Sequence, residues 1–240
     1  MSPHPLWRRA LAEFLGTGML VTVVVGSGIA AQRLSSDTGL QLLENALATA
    51  MGLGVLIVLL SPVSGAHFNP AVSLAMTILN RHSPDGLLKR ELVTYSAAQI
   101  VGGIGGAVLA NAMFDVAPAL STIDRATPAT FLAEVVATAG LVLVITGLSR
   151  AGRSVPVVAT AVGCYIGAAY WFTSSTSFAN PAVTIGRVFT DTFAGIAPAS
   201  VLPFVIAQLL GACVAICLTV ALFPRRATHA AKGDVVSRSH

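Results

Sequence analysis

The chain has 240 residues, 55% of them apolar and only 10% charged, against about 25% charged in an average soluble domain. Its mean hydropathy is +0.80, more apolar surface than a soluble fold of this length can hide. This excludes an ordinary cytosolic enzyme, a disordered chain and a secreted disulfide scaffold. The net charge of +4 comes from basic residues set between apolar stretches, which points to membrane orientation rather than nucleic acid.

In chain order, apolar stretches fall at about 8–30, 43–61, 90–113, 129–149, 155–173 and 200–223. Each approaches the roughly 20 residues a spanning helix needs. The first is no signal peptide, because it runs too long, carries Glu13 and lacks a cleavage site. Two shorter apolar pieces follow Asn69 and Asn180. At about 10 residues they cannot cross a bilayer. Backbone that stops at membrane depth must be buried in protein or line a wet cavity, so both read as re-entrant half-helices. Residues 224–240 are polar and read as a solvated cytoplasmic tail. The expected fold is an all-α integral membrane domain over 1–240, with six transmembrane helices and two half-helices.

The sequence repeats itself. AEFLGTGMLV at 12–21 is echoed by AEVVATAGLV at 133–142, HFNPAVSLA at 67–75 by FANPAVTIG at 178–186, and AQIVGGIGGA at 98–107 by AQLLGACVAI at 207–216. Three spans separate the copies, so repeat 2 (about 129–223) is inverted relative to repeat 1 (about 8–113), a plan that puts a working site at the midplane. With both termini cytoplasmic, Arg8, Arg9, Arg81, Lys89, Arg90, Arg150, Arg153, Arg225, Arg226, Lys232 and Arg238 lie inside, and Arg33, Arg125 and Arg187 outside.

Each Asn-Pro-Ala triplet, Asn69-Pro70-Ala71 and Asn180-Pro181-Ala182, starts a half-helix. Proline suits the first helical position and asparagine the N-cap. The asparagine amide also offers two N–H donors. Half-helix N-termini carry partial positive charge, which repels cations and protons where two of them meet. Glu13 and Glu134 are carboxylates inside spans; in lipid such groups face the bundle interior.

HFNPAV at 67–72 and ANPAV at 179–183, together with Glu13 and Glu134, resemble the aquaporin and aquaglyceroporin (major intrinsic protein) family over about residues 8–223. The resemblance implies a homotetramer with one pore per protomer in the inner or plasma membrane. It implies passive passage of small neutral solutes, with no catalysis and no cofactor. It makes Glu13 and Glu134 braces for the loops that hold the triplets, and it puts His67 on the cytoplasmic side of the pore. Counted from the triplets, the family's four filter positions fall on Thr49, Ala168, Ser177 and Val183. Water-selective members carry an aromatic residue, a histidine and an arginine at the first, second and last of these. Thr49, Ala168 and Val183 therefore imply a wide neck with no fixed cation, suited to polyols. The run NPAVTIGR with VFTDTFAGIAPAS, residues 180–200, resembles a bacterial subgroup found with arsenic-resistance genes, which adds arsenite, As(OH)3, to glycerol and water. A water-selective channel and a transporter coupled to protons through Glu13 or Glu134 are the alternatives.

Arg187, one turn past Val183, either replaces the missing arginine or forms a rim ion pair with Asp191, and the rim pair is preferred. Cys164, Cys213 and Cys217 lie in apolar stretches; Cys213 and Cys217 share a helix face, where a soft metal or metalloid is one reading and buried packing the preferred one. No histidine cluster suits a metal: His67 has no second ligand nearby in sequence. Ala12 with Gly16, Gly102 with Gly106, Gly163 with Gly167 and Gly211 with Ala215 are spaced for close helix crossings in lipid.

Overall fold

The computed structural model describes residues 4–81, 86–117 and 119–224. Except for Pro224, the tail read at 224–240 lies outside the described residues, and with it the basic residues Arg225, Arg226, Lys232 and Arg238. Eight helices follow one another: α1 (Leu6–Leu34), α2 (Thr38–Ser64), α3 (Pro70–Leu79), α4 (Lys89–Met113), α5 (Pro128–Arg150), α6 (Val155–Phe172), α7 (Pro181–Gly186) and α8 (Pro198–Leu222). There is no strand among the described residues. All except the short α3 and α7 are long and apolar enough to cross a membrane. Several spans extend past their apolar stretches because polar caps carry the helix further. Asp37 accepts from the Leu40 N–H at the start of α2, and Thr127 accepts from the Thr130 N–H at the start of α5.

The two repeats pack alike. α1 lies against α4 as α5 lies against α8, and the halves meet through α2 and α6. Glycine makes these crossings close. A side chain on Gly102 or Gly106 of α4 would run into the carbonyl oxygens of Phe14 or Gly18 on α1. A side chain on Gly211 of α8 would meet the Val135 carbonyl 2.5 Å away, and one on Gly163 of α6 the Ala50 carbonyl 2.6 Å away. Backbone cannot yield as a side chain can, so the spacing of four read in the sequence is a crossing device here. Gly16 differs: it abuts the ring of Phe68 in the loop before α3, not another helix.

The outer face is apolar, with Leu47, Val55, Leu59, Val93, Val101, Leu132 and Leu202 all exposed. In lipid that face is solvated, so burial inside the protomer falls to small residues and polar groups that bond to one another. Cys164, Cys213 and Cys217 are on this outer face, not in the core. An apolar stretch announces lipid but does not say which helix face looks inward, so the expectation that Cys213 and Cys217 pack internally is corrected.

α7 is shorter than the half-helix expected after Asn180. It ends at Gly186 and tightens into a 3-10 turn over Arg187–Phe189. Gly186 sits against the Gly103 carbonyl of α4, with no room there for a side chain.

Candidate functional site

The site begins where the two half-helices meet. Before each, the backbone turns left-handed at matching positions: Gly65, Ala66 and Phe68 in one loop, Thr176, Ser177 and Ala179 in the other. Five of these six are not glycine, and each such position costs on the order of 1–3 kcal/mol and persists only where its surroundings over-determine it. A buried carboxylate does so in each loop. Glu13 Oε1 accepts from Ser64 Oγ at 2.6 Å and the His67 N–H at 3.0 Å. Its Oε2 accepts from the Phe68 N–H at 2.6 Å and Gln99 Nε2 at 2.7 Å. Glu134 repeats the pattern with Ser175 Oγ, the Phe178 and Ala179 N–H groups and Gln208 Nε2, between 2.6 and 2.9 Å. Gln99 and Gln208 also donate to Ser73 and Thr184, which ties the first turns of α3 and α7 to the same networks.

Asn69 and Asn180 cap α3 and α7. Each Oδ1 accepts from two N–H groups of its own first turn, the nearer at 2.9 Å. Each Nδ2 then crosses to the opposite loop: Asn69 donates to the Ala179 carbonyl at 2.7 Å and Asn180 to the Phe68 carbonyl at 2.8 Å. An asparagine amide has two N–H donors. One is spent holding the half-helices tip to tip, so each asparagine keeps one for a passing solute, not the two expected from the sequence. Pro70, Ala71, Pro181 and Ala182 fill the first turns behind them. The two positive helix ends converge there.

A cavity of about 360 Å³ runs past this point. Its walls are stripes at four-residue spacing, the spacing that keeps side chains on one helix face. α2 contributes Thr49, Leu53, Ile57 and Ser61, α6 contributes Val158, Val162, Ile166 and Tyr170, and α5 contributes Leu141, Ile145 and Ser149. Asn69, Asn180, His67, Ser177 and Val183 line it from the loops and half-helices. His67 is steadied by Ser73 Oγ at 3.0 Å from its Nδ1 and by an edge contact with Tyr95. Arg153 and Ser149 stand at one end of the cavity, Arg187, Tyr170 and Thr49 at the other. The sequence reading used Arg153 only as an orientation signal and passed over Tyr170.

Of the four counted filter positions, Thr49, Ser177 and Val183 line this cavity and Ala168 does not. Ala168 is exposed on the outer face of α6. A residue two places from Tyr170 points about 200° away around a helix, so the count from Asn180 lands on the wrong face. Tyr170 is buried there, and its hydroxyl lies 3.1 Å from Thr49 Oγ1.

Arg187 also corrects expectation. It is only 2% exposed and does not pair with Asp191, which accepts from the Thr122 N–H and hydroxyl instead. Its guanidinium lies over the Phe178 ring, 3.5 Å from the centroid. The end of the cavity thus holds both an aromatic hydroxyl and a cation, neither of which the offset count supplied.

Comparisons with known proteins agree with this geometry. The family model described as Major intrinsic protein matches residues 1–178. Aquaglyceroporin AqpS of Rhizobium meliloti (strain 1021) is 50% identical over 220 residues, 91% of each chain. The glycerol uptake facilitator protein of Pseudomonas aeruginosa is 31% identical over 182 residues, 65% of this chain and 62% of its own. The X-ray structure of the aquaglyceroporin from Plasmodium falciparum shares the fold, with a TM-score of 0.69 over 90% of this chain and 96% of that one at 21% identity. Two half-helices capped by Asn69 and Asn180, six spans in an inverted repeat and these matches lead to one conclusion: the chain belongs to the major intrinsic protein family.

Proposed function

We propose that this protein is a passive channel through which small neutral solutes, glycerol-like polyols and arsenite among them, cross together with water. The observation that carries the reading is a cavity lined continuously from Arg153 to Arg187 past Asn69 and Asn180. One side is an apolar stripe from α2 and α6, flanked by the hydroxyls of Thr49, Ser61 and Tyr170; the other offers asparagine amides. A polyol is amphipathic in the same sense, with carbon on one side and hydroxyls on the other. As(OH)3 is a neutral trihydroxide of similar size. The polyol part of the reading is supported by AqpS, an aquaglyceroporin by name, which matches 91% of this chain. Thr49, Tyr170, Ser177 and Val183 form the narrow outer end in this reading, in place of the set that included Ala168. His67 lines the inner side, and no cofactor takes part.

The proton-coupled reading fares worse. Neither Glu13 nor Glu134 lines the cavity. Each accepts four hydrogen bonds that hold a loop. A proton carrier needs access to water and freedom to lose its partners. We further propose a homotetramer in the cell membrane with both termini cytoplasmic. The basic residues Arg8, Lys89, Arg90 and Arg150 at helix ends of one side support that orientation.

The test is a solute panel on reconstituted vesicles. Stopped-flow light scattering should show glycerol and arsenite entry well above the lipid background, not saturating with concentration. Water flux alone, with polyol and arsenite entry at background, would replace this reading with a water-selective channel.

A further inference from the structure

We propose that Arg187, one turn beyond the position next to the second Asn-Pro-Ala triplet, supplies the fixed positive charge and free donors of the pore's outer end. The proposal rests on the channel reading above and assigns this residue the exclusion of cations and protons there. Val183 lines the cavity but has neither charge nor donor. Arg187 lines the same stretch, and the 3-10 turn that follows α7 is what brings it back over the opening.

Its side chain is held in three ways. Nε donates to the Ala194 carbonyl, so the chain beyond the turn clasps the stem of the guanidinium. The planar group rests on the Phe178 ring, an arrangement that suits arginine and not lysine. The clasping segment is itself anchored. Arg125 donates to the carbonyls of Gly195 at 2.6 Å and Phe193 at 2.8 Å, and Asn111 donates to the Phe189 carbonyl at 2.8 Å.

Arg125 also approaches the Phe178 ring, 5.5 Å from its centroid. Two cations therefore approach one aromatic ring but do different work. Arg125 spends its donors on loop carbonyls and is a positioning residue. The terminal nitrogens of Arg187 have no acceptor among the described residues and are not sealed inside the protein, so they open on the cavity. A hydronium or metal cation arriving there meets an unneutralised charge in a site mostly removed from water. A polyol hydroxyl meets unoccupied donors.

The experiment compares Arg187→Gln, which keeps donors and loses charge, and Arg187→Val with the parent in vesicles. Glycerol entry is followed by light scattering, and proton leak by an entrapped pH dye under a potassium diffusion potential. Both variants should remain open to glycerol, at a rate that the lost charge or lost donors alter, and show proton leak about tenfold or more above the parent. Tenfold is a lower bound, because a unit charge a few ångströms from the path at an effective dielectric constant near 20 opposes a cation by more than that. Val183→Arg added to Arg187→Val should bring the leak back down by restoring the charge one turn deeper. Should both single variants misfold, Arg187→Cys, treated after reconstitution with a cationic or a neutral methanethiosulfonate, gives the same reading. Only the cationic reagent should lower the leak, and the parent with its three native cysteines should not respond. A glycerol-conducting variant whose proton leak equals the parent's overturns the proposal. A parent that fails to conduct glycerol overturns the channel reading instead, and the two failures are distinct.

Discussion

At the scale of the residue, Val183 and Tyr170 show how far spacing alone reaches. The doubled Asn-Pro-Ala signal was legible because it occurs twice in matching positions, and the structure puts both asparagines where the half-helices meet. Tyr170 was missed because the offset from Asn180 fixes sequence distance but not helix rotation. The four-residue stripe Val158, Val162, Ile166 and Tyr170 carried the right signal. Arg187 was assigned to the rim because nothing in the sequence announces the 3-10 turn that carries it inward. Val183→Arg, with Arg187 left in place, would add bulk and a second guanidinium to the narrow end. Glycerol and arsenite permeability should fall by about tenfold while water falls less, read by stopped-flow on parent and variant at matched protein density; a tenfold effect is about 1.4 kcal/mol at the barrier. An unchanged glycerol-to-water ratio would mean that residue 183 does not face the solute path. Glu134→Ala makes a different prediction. It would strip the Phe178 and Ala179 N–H groups of their acceptor. At about 1–3 kcal/mol for each buried donor left unpaired, melting in detergent should fall steeply. Glu134→Gln, which keeps acceptor oxygen, should fall less. If the alanine variant melted with the parent, the brace would carry no load.

At the scale of the element, the helix crossings were legible as small residues four apart, and the partner each one touches was not. Gly102, Gly106, Gly163 and Gly211 each press on a carbonyl of the facing helix, whereas Gly16 accommodates a loop phenylalanine. Spacing in one helix shows that a close approach occurs; only the fold shows what approaches. α4 contains its own control. A side chain on Gly102 would collide with the Phe14 carbonyl, while one on Gly105 meets nothing within 4 Å. Gly102→Val should therefore lose most correctly folded protein, and Gly105→Val should express and melt within a few degrees of the parent. Size-exclusion yield and melting temperature report both, and equal losses would remove the α1–α4 approach as the cause. The outer loops add a pH-sensitive element. Asp124 accepts from Ser200 Oγ and the Ala126 N–H, and the serine bond and that backbone bond hold its carboxyl below the usual aspartate range. A depressed carboxylate contributes stability that is present above the unfolded value, about 3.9, and is lost as pH falls through the lower folded value. Asp124→Asn should melt slightly below the parent at neutral pH, and the gap should close as the pH falls below about 3.9. A gap that persisted at low pH would show that the carboxylate's charge is not what holds Ser200.

At the scale of the whole molecule, hydropathy and internal repetition carried the fold. Six apolar runs, two short ones and three paired sequence echoes leave little freedom for another arrangement. The pore was less legible because it belongs to no single element. It is the seam between α2, α5 and α6 and the two loop–half-helix units, closed by crossings far apart in the chain. The architecture gives each feature one task. Glutamates fix the loops, asparagines join them, helix ends and Arg187 oppose cations, and the apolar stripe accepts carbon. What unites these tasks is the claim that neutral solute moves through this seam without proton movement. Reconstituted parent protein, with glycerol entry and internal pH recorded in the same vesicles under an imposed pH gradient, tests it directly. Glycerol should equilibrate rapidly in both directions at a rate indifferent to the gradient, with internal pH following the empty-vesicle trace. Glycerol accumulation driven by the gradient, or a pH change that tracks glycerol entry, would contradict the account.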